Sequence, residues 1–85
     1  MNDPTPTMTD PEVRRLVAAV LAGIAPEADP ATVGDEEDLR EALDLDSMDF
    51  LNFVIALGER TGRRIPEADA GRLHSLRGLL AYLSA

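Results

Sequence analysis

Apolar residues along the chain fall into stretches of helical period. Val13, Leu16, Val17, Val20, Leu21 and Ile24 recur every three or four positions and predict one helix over 11–24. Asp10, Pro11 and Glu12 supply its start, with Asp10 as the capping carboxylate, a proline tolerated in the first turn and negative charge at the positive dipole end. Gly23 and Pro26 mark where it stops. A second stretch begins at Asp46 or Ser47, has Asp49 in its first turn, and runs to Thr61 before Gly62. Around its wheel Phe50, Leu51, Phe53, Val54, Ile55 and Leu57 cover a wide arc, and only Asp49, Asn52, Ala56, Glu59 and Arg60 face water freely. So broad an apolar span predicts the central helix of a bundle, with Phe50, Val54 and Leu57 in the core and part of the border left for a partner. Ile65 before Pro66 must be extended, and Pro66 can open a short helix through about Leu73. Ser75 then caps a last helix in which Leu76, Leu79, Leu80 and Leu83 form the stripe.

The connection over 25–46 holds Pro26, Pro30 and Gly34 and is longer than an ordinary loop. Val33, Leu39, Leu43 and Leu45 give it apolar anchors, and 36–43 can form a turn or short helix, so it is expected to be ordered. No alternating pattern suggests a strand, and no internal repeat is present. The expectation is an all-α four-helix bundle with a long first connection and a short third helix. The domain is expected over 10–85, after a mobile tail over 1–9 that has neither the basic start nor the apolar run of a signal peptide. Cytoplasm is the default location.

Composition narrows the function. The 85 residues carry 16 acids against 8 arginines and no lysine, a net charge of −8. That balance argues against binding nucleic acid or an anionic membrane surface and favours basic protein partners. No stretch is apolar enough to predict a membrane span. Absence of cysteine removes any disulfide, thiolate nucleophile or cysteine-based zinc site. At this length one small core is all that fits, and a self-contained catalytic cleft is not expected.

The charge is also concentrated. Asp35, Glu36, Glu37, Asp38, Glu41, Asp44, Asp46 and Asp49 stand against the single Arg40 within fifteen residues, while Arg60, Arg63 and Arg64 make the far end of the central helix basic. Such a cluster either keeps a small protein soluble or meets a basic partner or cation, and its self-repulsion favours the latter. It does not read as a calcium loop, because Met48, Asp49 and Ile55 fall where that motif needs an oxygen ligand, a glycine and a glutamate. No metal site is expected.

Ser47 lies inside this acidic patch. Beside Asp46 at a helix start it can be a simple cap. As a nucleophile it lacks a base: the one histidine is His74, and the neighbouring carboxylates disfavour an alkoxide. The chain therefore reads as non-enzymatic. Met48, Leu51 and Ile55 sit at the apolar border, where they can equally be core or contact residues.

The run Leu43, Asp44, Leu45, Asp46, Ser47, Met48, Asp49 resembles the phosphopantetheine attachment motif of acyl carrier proteins. The similarity continues through Val54, Ala56, Leu57, the Ile65 and Pro66 pair, and the last helix with Tyr82, covering about 10–84. The resemblance implies that Ser47 receives 4′-phosphopantetheine from coenzyme A, through a phosphopantetheinyl transferase and magnesium, and that the arm's thiol carries acyl groups as thioesters. The missing cysteine then has an explanation, since the reactive sulfur belongs to the cofactor. A phosphodiester at a helix N-terminus also meets free amides and the positive dipole end.

By the same resemblance, Asp46, Met48, Asp49, Leu51 and Ile55, with Asp44 and Glu41, occupy the places read by acyl-loading and acyl-processing enzymes with basic docking patches. The implied protein is a free-standing, monomeric carrier. Fatty-acid carriers usually continue acidic residues down the central helix, where this chain has Asn52, Gly58 and Arg60. A specialised fatty-acid, polyketide or related pathway is therefore expected. The other readings are an aminoacyl or aryl carrier loaded by an adenylating ligase, and an unmodified acidic adaptor for a basic protein.

Overall fold

The computed structural model describes residues 8–84. Helix α1 spans Asp10–Ile24, and its cap is Thr9, not Asp10. The Thr9 hydroxyl accepts from the Glu12 amide at 3.3 Å, and the Glu12 carboxylate accepts from the Thr9 amide at 2.9 Å. This reciprocal box selects Thr9 because the residue three positions on can return the bond, whereas Asp10 would face Val13. Met8, one residue before the cap, is half-buried against the core. Residues 8 and 9 thus take part in the helix start where the sequence placed a tail; 1–7 of that expected tail, and Ala85, lie outside the described residues.

A single 3-10 turn at Pro30–Thr32 and the short helix α2 (Leu39–Ala42) punctuate the long connection. Helix α3 (Ser47–Thr61) follows, ending at Gly62, whose φ of 69° lies in the left-handed region that glycine adopts without strain. The expected short third helix is a 3-10 segment, Glu67–Leu73, and α4 (Leu76–Leu83) completes the expected all-α bundle. Helix α1 packs against α3 and α4, and the 3-10 segment packs against α4.

The core is built from Val13, Val17, Val20 and Leu21 of α1, Phe53, Val54 and Leu57 of α3, and Leu76, Leu79 and Leu83 of α4, joined by Leu73. Phe53 is fully buried and is the central aromatic; Phe50, expected in the core, is only half-buried. Gly78 permits the close approach of the 3-10 segment to α4, because a Cβ there would strike the Arg72 carbonyl.

Three of the connection's four predicted anchors, Val33, Leu39 and Leu45, are buried, and Leu43 is half-buried. Polar bonds fix it further. The Leu39 amide donates to the His74 carbonyl at 2.7 Å, and the Arg77 amide in the first turn of α4 donates to the Asp35 carbonyl at 2.8 Å. Arg14 of α1 grips the Asp35 carboxylate with two bonds of 3.1 and 2.9 Å, and Arg77 pairs with Glu36 at 3.1 Å. The connection is therefore a fixed platform that delivers the start of α3 in one place.

Candidate functional site

The turn from α2 into α3 sets the site. At the end of α2 the Leu45 amide reaches back to the Arg40 carbonyl at 2.8 Å and the Asp44 amide to the Glu41 carbonyl at 3.4 Å. This double closure places Asp44 at the left-handed position, with φ 57°, a conformation aspartate tolerates better than most side chains. Leu45 then drops into the core, and the chain emerges at Asp46 on the surface.

Asp46 is the N-cap of α3. Its carboxylate accepts from the Asp49 amide at 2.8 Å, and the Asp49 carboxylate accepts from the Asp46 amide at 3.4 Å. Capping is thus done by the two acids. Ser47, the first residue of the helix, is exposed and its hydroxyl is not used as a cap. The Phe50 amide donates to the Asp46 carbonyl at 3.0 Å and the capping box takes the Asp46 and Asp49 amides, which leaves the Ser47 and Met48 amides as the first-turn donors with neither a helical nor a capping acceptor.

The other predicted site residues separate into two groups. Met48, Leu51 and Ile55 form an exposed stripe down α3, with 62%, 49% and 49% of their surfaces open, so the core alternative for them is excluded. Glu41 and Asp44 are exposed on and just after α2, while Asp49 is half-buried at its capping bond.

In the sequence Arg40 stands out only as the single positive charge of the acidic segment. Its guanidinium lies 3.4 Å from the Ser47 hydroxyl and 5.5 Å from the centroid of the Phe50 ring. The spacing of seven residues across a short helix and turn gave no warning of this contact. Beside Ser47 a groove of about 680 Å³ runs along α3, walled by Phe50, Leu51, Val54 and Ile55 on one side and Ile65 and Ala70 on the other, with Glu59, Arg63 and Glu67 also on its lining. Its second wall is braced from behind, since Arg63 donates to the Tyr82 and Leu83 carbonyls at 3.3 and 3.1 Å and the Tyr82 hydroxyl donates to Asp69 at 2.8 Å.

The resolved titration shifts lie away from Ser47. Donation from Arg14 holds the Asp35 carboxyl below its ordinary value and raises Arg14 in return. The bond to Asp69 raises the Tyr82 phenol. Among the described residues no group of three or more His, Asp or Glu side chains gathers to hold a metal, and no helix is long and apolar enough to cross a membrane.

These groups fit a phosphodiester on Ser47. The hydroxyl is open to a modifying enzyme, two amide donors and a guanidinium flank it, and the nearby carboxylates are turned toward backbone amides. Residues 11–83 match the family model described as the phosphopantetheine attachment site. The chain belongs to the acyl carrier protein family. It is 36% identical over 86 residues to polyketide-8 synthase acyl carrier protein 2 of Streptomyces avermitilis, a match spanning 100% of this chain and 93% of that protein. It is 35% identical to an acyl carrier protein of Campylobacter hominis, across 85% of each chain. Identity to the mitochondrial acyl carrier protein of Neurospora crassa is 32% over 85% of this chain, which spans only 54% of that relative. Phosphopantetheine is thus the cofactor of the family to which this acyl carrier chain belongs, and carriers of this kind deliver groups to enzymes instead of catalysing.

Proposed function

We propose that Ser47 is the attachment residue and that the protein presents acyl intermediates to partner enzymes of a specialised fatty-acid, polyketide or related pathway. The observation that carries this reading is an exposed hydroxyl at the first position of α3, released from capping by Asp46 and Asp49. The full-length similarity to a carrier named for a polyketide synthase supports the specialised pathway.

When bound, the cofactor supplies the thiol that holds the acyl group as a thioester. The chain's own residues do the rest. The Ser47 oxygen forms the ester link, and the first-turn amides and dipole of α3 face its negative charge. Asp44, Glu41 and the outward edges of Asp46 and Asp49 attract basic patches on the transferase and on acyl-handling enzymes, and Met48, Leu51 and Ile55 give those enzymes an apolar stripe to cover. Catalysis belongs to those partners.

The cysteine-free sequence makes the test direct, because any protein thiol must come from the arm. After incubation with coenzyme A, magnesium and a broad-specificity transferase, then desalting, thiol titration should find one thiol per chain in wild type and none in Ser47→Ala. No thiol in wild type, or an equal amount in Ser47→Ala, contradicts the assignment. Tight binding of a basic partner regardless of the state of Ser47 would favour the adaptor instead.

A further inference from the structure

Resting on the attachment of the arm to Ser47, we infer that Arg40 is a positioning residue that holds the phosphodiester oxygens of that arm against the start of α3. Arg40 is the one cation in the most acidic part of the chain, yet the ion pairs among the described residues join Arg14 to Asp35, Arg72 to Asp69 and Arg77 to Glu36. None uses Arg40. Of the surrounding carboxylates, Asp38 accepts from the Arg40 backbone amide at 2.8 Å, Asp46 and Asp49 accept from each other's amides, and the exposed Glu41 and Asp44 form no ion pair with the guanidinium.

The guanidinium instead rests over the Phe50 ring, with one terminal nitrogen 3.4 Å from the Ser47 oxygen. That distance is long for a bond to a neutral hydroxyl. It suits an anion built on the hydroxyl, because the two free oxygens of a phosphate bonded to the Ser47 oxygen would come within reach of the guanidinium's fork of N–H donors. Charge-assisted, two-pronged recognition of phosphate is what the planar guanidinium does and an ammonium cannot copy. Stacking on Phe50 removes part of the side chain's freedom beforehand, so less ordering remains when the phosphate arrives. Arg40 also offsets the repulsion that Asp46 and Asp49 exert on the phosphate.

The test is phosphorus NMR of the arm-bearing protein, comparing wild type, Arg40→Ala and Arg40→Lys, with the same proteins unfolded in urea as the reference position. Circular dichroism checks folding, and intact mass confirms modification of each variant. In folded wild type the phosphodiester resonance should be displaced from the unfolded position, and added sodium chloride should reduce the displacement by screening. Arg40→Ala should lose most of the displacement and its salt dependence, and Arg40→Lys should retain only part. If Arg40→Ala does not fold, Arg40→Lys decides alone. Resonances of the folded variants that coincide with wild type at low salt, or a wild-type resonance indifferent to salt, overturn the role of Arg40 while the mass gain leaves the attachment reading standing. A wild type that gains no mass overturns both.

Discussion

Ser47 and Asp46 are neighbours with separable duties, and substitution should separate them. Because the Ser47 hydroxyl caps nothing, Ser47→Ala should change folding stability by no more than about 0.5 kcal/mol while abolishing modification. Asp46→Ala removes the cap and should cost about 1 kcal/mol by urea denaturation. Leu57 and Leu51 make a similar contrast on one helix. Leu57→Ala empties a fully buried site and should cost about 2–5 kcal/mol, whereas Leu51, 49% exposed, should cost far less and act on partner docking. Ser47 was visible in the sequence through its motif. Arg40 was not, because its contact depends on how α2 turns into α3, which no short-range pattern encodes.

The stripes of α1, α3 and α4 were readable because each repeats a burial pattern over two turns or more. What escaped was decided by single bonds or by neighbours. Thr9 won the cap over Asp10 through its reciprocal partner Glu12, and Phe53 took the core place while Phe50 turned toward Arg40 and the groove. The stretch after Pro66 tightened into a 3-10 segment braced on α4, a tertiary outcome that local signals for a helix start do not contain. Two substitutions probe these joints. Asp44→Gly relieves the left-handed backbone at the α2 to α3 turn and should stabilise the fold by about 1 kcal/mol. Gly78→Ala forces a Cβ against the Arg72 carbonyl and should destabilise by about 1–3 kcal/mol, read as a lower urea midpoint.

Across the molecule, the acidic platform is better compensated than its sequence suggests, since six of its eight acids find an arginine or a backbone amide and only Glu41 and Asp44 have no such partner among the described residues. The two exposed ion pairs still add little against the net repulsion of the segment. Sodium chloride or millimolar magnesium should therefore raise the melting temperature. Acid should act the other way through Asp35. Its folded value lies below the ordinary 3.8, so the folded state binds fewer protons in that window. The stabilisation is present above pH 3.8 and is lost as pH falls through the folded value; Asp35→Asn should flatten that part of a melting-temperature profile. The central claim concerns one oxygen atom, and fragment mass spectrometry of the transferase-treated protein tests it most directly. The account predicts a single phosphopantetheine increment confined to the fragment ions that contain Ser47; an unmodified chain, or an increment localised to any other residue, would contradict it.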